Sequence, residues 1–237
     1  MVSSQNVSRH RHAQFHIFLA VSLSILILTG ILYVSDHAAY SRFFGRANPL
    51  LVMAITIIVG SLLLSRLRST TTIQVYTAAP KTRILVIITI PLVLFCGIVW
   101  VDTRGVFPQD LNIAFPESLL FYPSIAYFVE ILFHIVPVAL CVFIISIVFK
   151  QCNQATVLLI TIPLVALVEP IFQLMTFGEN YPGWAIAYTG AHILVINLVQ
   201  LWLFVKYDFV SMYAFRLVYY VLWHIIWGAL RVQWLFS

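Results

Sequence analysis

The sequence predicts an all-α, polytopic integral membrane bundle of about seven transmembrane helices. Three observations predict it. Of 237 residues, 62% are hydrophobic and 9% are charged, where a soluble domain carries about 25% charged residues. Mean hydropathy is +1.01. The apolar residues gather into runs of about 20, the length that spans a bilayer as a helix. These figures exclude a soluble globular protein, a disordered chain and a nucleic-acid-binding module. The net charge of +5 does not point to nucleic acid, because the basic residues punctuate the apolar runs, where they set topology.

The first run, Ala13 to Val34, follows a polar, basic stretch with Arg9 and Arg11. It is too long for a signal-peptide core and no small-residue cleavage site follows, so it is expected as a retained first helix. The second run is about 49–65, between Pro49 and Arg66, and the third about 83–101, between Arg83 and Asp102. The fourth lies within 119–149, about 46 Å as continuous helix against a core of about 30 Å. It must tilt, kink or begin at the interface, with Pro123 and Pro137 as the natural break points. The fifth, sixth and seventh runs are about 155–175, 185–205 and 209–236. Almost nothing remains for a soluble appendage.

Basic residues outside these runs divide eight to four between alternate sides, which places the N-terminus in the cytoplasm. Cys96, Cys141 and Cys152 are isolated and odd in number, which fits buried small hydrophobes and neither a disulfide framework nor a thiolate metal site.

Ionisable residues at membrane depth are costly and default to function. Here they are Glu130, Glu169, His134, His192 and His224, all in the last four runs. The division expected is therefore a scaffold over 1–118 and a site region over 119–237, within one membrane domain. His10, His12, His16 and His37 sit near membrane ends and receive no role. Glu130 and His134 share a helix face by their four-residue spacing. Glu169 and Gln173 do so on the fifth run, and Tyr188 and His192 on the sixth, with Asn197 and Gln200 further along. On the seventh, Arg216, Tyr220, His224 and Gly228 form one stripe. An unpaired polar group in lipid costs several kcal/mol, so four such faces are expected to converge on a shared polar cavity. The plainer readings stand beside this. Asn197 and Gln200 suit interhelical hydrogen bonding, Gly228 suits close packing, and Arg216 suits snorkelling to the interface.

A glutamate with histidines in a wet cavity can activate water for attack on an amide carbonyl. Histidine or asparagine side chains can hold the oxyanion. Two histidines and a glutamate (His192, His224 and Glu169) would equally suit zinc, and the residues leave both routes open. No HExxH or GxSxG is present.

The motifs then resemble those of the CAAX-processing and bacteriocin-processing (CPBP, or Abi) intramembrane endopeptidases, over roughly residues 120–230. That family carries EExxxR, then FxxxH, then HxxxN. Val129-Glu130-Ile131-Leu132-Phe133-His134 resembles the first, with valine for the first glutamate and histidine for arginine. Val168-Glu169-Pro170-Ile171-Phe172-Gln173 has a similar shape near the second motif, where Glu169 stands for the histidine; Tyr188 to His192 is another form of it. His224-Ile225-Ile226-Trp227-Gly228 resembles the third, with glycine for asparagine. The resemblance implies a divergent, glutamate-dependent intramembrane protease of all-helical fold, set in a bacterial inner membrane.

The expected site is therefore Glu130 or Glu169 as base, with His192 and His224 as oxyanion or metal groups. His134, Gln173, Tyr188, Asn197 and Tyr220 support it. Expected partners are the lipid bilayer, a membrane-associated peptide or protein substrate, and other membrane proteins if the chain assembles. The competing readings are a non-catalytic scaffold or accessory subunit, a haem subunit ligated by His192 and His224, and a proton relay through Glu130, His134 and Glu169.

Overall fold

Backbone amides in hydrocarbon have no water to bond, so each apolar run must satisfy its own hydrogen bonds as a helix. In the computed structural model seven helices among the described residues are long and apolar enough to cross a membrane. They are α1 (Ala13–Ser35), α2 (Pro49–Thr70), α3 (Lys81–Asp102), α4 (Ser118–Val148), α5 (Gln154–Met175), α6 (Gly183–Lys206) and α7 (Phe209–Leu235). The structure describes residues 4–36, 38–78, 80–176 and 181–237, with side chains over 13–36, 38–78, 80–175 and 181–237. His37, the side chains of Arg9, His10, Arg11 and His12, and the middle of the 176–184 loop lie outside that set.

Helix starts follow local chemistry. Asn48 accepts from the amides of Leu50 and Leu51 ahead of Pro49, Asn153 caps α5 at Thr156, and Asp208 caps α7 at Ser211. Side-chain acceptors at this position satisfy amides that have no partner within the helix. Within their most apolar stretches, α6 and α7 are 50% buried and α3 only 17%, so α6 and α7 sit centrally. α7 packs on α3, α4 and α6, while α1 packs on α2 and α4. Large apolar side chains such as Val34, Val93 and Leu159 stand exposed, as lipid-facing residues do.

Three helices are irregular, each beside a polar residue. α4 is continuous over 31 residues; Pro123 sits inside regular helix, and the expected break appears as a wide π turn over Glu130–Ile135, just before Pro137. A proline cannot bond back and crowds the preceding turn, which a widened turn relieves. α5 is interrupted at Leu167. Pro170 cannot donate to the Ala166 carbonyl, and Asn197 Nδ2 donates to that carbonyl instead, at 3.3 Å. α7 has a second wide turn over Val221–Trp227, with no proline to explain it.

Both ends of the bundle are tied down. Arg231, expected among the loop cations, is fully buried. It grips Asp102 at 2.7 and 2.8 Å and donates to the carbonyls of Phe107, Pro108 and Gln109. That holds the 103–117 loop against the end of α7. At the opposite end Asp208 pairs with Arg83 at 2.8 Å, and Gln14 bonds the backbone of Val75 and Tyr76.

Close approach of α2 to α4 depends on Gly60. A Cβ there would meet Ile131 Cδ1 at 2.7 Å and Phe18 Cζ at 3.3 Å. Gly60→Ala is expected to cost about 1–3 kcal/mol by overpacking, read as a lower melting temperature in detergent. Adding Ile131→Val, which removes Cδ1, should recover part of that loss.

Candidate functional site

The wide turn of α4 carries Glu130 and His134 at the same buried level, with His134 Nδ1 2.6 Å from Glu130 Oε2. The break in α5 sets Glu169 three residues beyond Ala166. α6 brings His192, Asn197 and Gln200, and α7 brings Arg216, Tyr219, Tyr220 and His224. All four polar faces point into the bundle, as expected. They form two adjoining parts, a closed charge network and an open-sided cavity.

Arg216 is the centre of the network and is 2% exposed. Its Nε donates to Glu130 Oε1 at 2.6 Å. Its two terminal nitrogens take Glu169 in a fork, at 3.0 Å to Oε1 and 2.8 Å to Oε2. The same nitrogens donate to Tyr220 Oη at 3.3 Å, Gln200 Oε1 at 3.0 Å and Asn197 Oδ1 at 3.5 Å. Gln200 Nε2 in turn donates to Glu130 Oε1. Snorkelling is therefore corrected: Arg216 turns inward because only a planar guanidinium can serve two carboxylates and three neutral acceptors at once. Asn197 and Gln200 act as interhelical bonds, as their residue type suggested. Two carboxylates face one guanidinium, with His134 bonded to Glu130 and the Tyr220 hydroxyl bonded to Arg216 as further titratable groups in direct contact.

The cavity lies beside the network. Its volume is about 180 Å³, and its polar walls include Glu169, Gln173, His192, Arg216, Tyr220 and His224. Glu130 and His134 do not line it. This separates the two glutamates, which sequence alone left equivalent: Glu169 faces space, and Glu130 faces only protein. His192 Nε2 is 2.8 Å from Tyr219 Oη. Tyr188 supports it by ring stacking at 5.6 Å, with its hydroxyl lodged against Gly97 of α3. Tyr220 stands edge-on to His224 at 4.8 Å. Among the described residues no three His, Cys, Asp or Glu side chains are grouped so as to hold a metal ion. Glu169, His192 and His224 are walls of one cavity.

Two residues of the candidate site escaped the sequence. Tyr219 lies on the stripe of Arg216 by its three-residue spacing and was legible in principle. Asn112 comes from the 103–117 loop, which has no periodicity to reveal it. Its Oδ1 is 2.7 Å from His224 Nδ1, and its side chain packs on Gly228, where the motif resemblance leads one to expect asparagine. Comparison with protein-family models, with curated proteins and with solved structures finds no match for the chain.

Removing Arg216 leaves two buried carboxylates uncompensated. Arg216→Met is expected to cost about 3–5 kcal/mol, measured as loss of the folded protein on thermal denaturation in detergent. Arg216→Lys should recover only part, because an ammonium cannot reproduce the fork. Glu130→Gln with Glu169→Gln in the Arg216→Met background should restore folding, since no unpaired charge remains.

Proposed function

We propose that the chain is an intramembrane endopeptidase of the CPBP type, in which Glu169 activates water for attack on a peptide bond. The observation that carries this reading is the cavity that brings Glu169, His192 and His224 together at membrane depth. A carboxylate has about four lone-pair sites, and the Arg216 fork occupies two. Arg216 supplies the partner that a buried carboxylate requires, and leaves lone pairs on Glu169 to accept a proton. Water adds to the scissile carbonyl, its proton passes to Glu169, and the same proton then goes to the departing amine as the C–N bond breaks. The Tyr220 hydroxyl, which accepts from Arg216 and keeps its own proton, is the donor for the developing oxyanion. His192 and His224 line the wall against which water and peptide sit. Glu130 is a structural partner of Arg216. The setting that goes with this reading is a bacterial cytoplasmic membrane with the N-terminus inside.

One observation favours a second reading, a non-catalytic membrane scaffold: Arg216 satisfies both carboxylates within the chain, as interhelical bonding alone would require. Protein termini in membranes from cells expressing wild type, Glu169→Gln and Glu130→Gln separate the two, with folded yield of each checked in detergent. The peptidase reading expects new termini with wild type and their loss, by about 10²-fold or more, in a folded Glu169→Gln. Glu130→Gln should lower stability while its folded fraction still cleaves. Identical termini in all three samples would put the scaffold reading first.

A further inference from the structure

We propose that Asn112 is the positioning residue that sets the tautomer of His224, and that position 228 is glycine to admit it. This rests on the reading above of His224 as a wall of a hydrolytic cavity. The argument follows a chain of hydrogen bonds from the loop into the bundle. The amide N–H of Ile113 donates to Tyr122 Oη at 2.9 Å. Tyr122 has one proton, and donates it to Asn112 Oδ1 at 3.3 Å. With Oδ1 as the Asn112 atom facing both Tyr122 and His224, and Nδ2 buried without a partner on the Gly228 side, the contact at 2.7 Å requires a proton on His224 Nδ1. A neutral imidazole carries its proton on one nitrogen only, so Nε2 is left bare. Asn112 does not line the cavity that holds Glu169, whereas His224 does, so Nε2 is the nitrogen left for the cavity. His224 is thereby an acceptor for a water proton beside Glu169, and not the oxyanion donor that its residue type equally allowed.

Two further features hold the arrangement. The Tyr122 ring stacks on His224 at 4.5 Å and 13°, which fixes the plane of the imidazole. A Cβ at position 228 would lie 3.0 Å from Asn112 Nδ2 and 3.2 Å from both its Cβ and Cγ, so any side chain there makes the amide give by a few tenths of an ångström. The loop that delivers Asn112 is clamped at Phe107, Pro108 and Gln109 by Arg231.

Nitrogen-15 spectra of histidine-labelled protein in detergent test this, with the His224 signals identified by their loss in His224→Gln. Wild type should show His224 protonated at Nδ1. Asn112→Leu, which has no acceptor, should move it toward the Nε2-protonated form, and Asn112→Asp, which keeps one, should not. Cleavage should fall in Asn112→Leu on the order of 100-fold or more, the scale on which a wrong histidine tautomer acts in hydrolytic sites. If Asn112→Leu does not fold, Gly228→Ala carries the same test, since its Cβ shifts the amide that faces His224. A wild-type His224 bare at Nδ1, or a tautomer that no variant moves, overturns the proposal. So does a tautomer that moves while cleavage stays constant. If wild type yields no new termini at all, the peptidase reading fails, and the spectra alone decide the role of Asn112.

Discussion

A single guanidinium shared by two carboxylates at membrane depth is the constraint on which the rest of the site depends. Arg216 sits where a charge without a partner costs far more than any one helix contact returns. It joins α7 to α4 through Glu130, to α5 through Glu169, and to α6 through Gln200 and Asn197. Four helices are thereby held in one register by a group that tolerates little sliding, because each donor has its own acceptor. The glutamates cannot be understood separately from it. Ionised, they need Arg216; without them, Arg216 has no place in the bundle.

The irregular helix segments serve that constraint. Proline at 170 frees the Ala166 carbonyl, and Asn197 takes it up, so the break that presents Glu169 is itself a helix–helix bond. The wide turn before Pro137 carries Glu130 and His134. Widened and broken turns are costly in lipid unless neighbouring groups satisfy the backbone. At the α5 break the group that does so, Asn197, belongs to the same polar network, so backbone irregularity and buried charge stabilise one another there.

The cavity gains its chemical asymmetry from this arrangement. On one side Glu169 is oriented by the Arg216 fork. On the other, His224 is held by a residue from outside the membrane runs, through a loop that Arg231 clamps. Position 228 links the two ends of the story: with no side chain on α7 at that point, the loop supplies one. An α-helical stripe and an extramembrane segment thus combine in one site, which neither could build alone.

How much of this was legible in the sequence differs by level. The seven helices were, because hydrocarbon leaves a polar backbone no other option and the lengths match its thickness. Inward convergence of the four polar faces was too, from helical spacing and the cost of bare polar groups. Periodicity places residues on a face; it does not say which faces touch. Only the tertiary structure therefore decided that Arg216 points inward, that Glu169 and not Glu130 borders the cavity, and that Arg231 is buried against Asp102. Asn112 was invisible for a plainer reason. Its partner lies 112 residues away, and a loop has no period from which such a contact can be read.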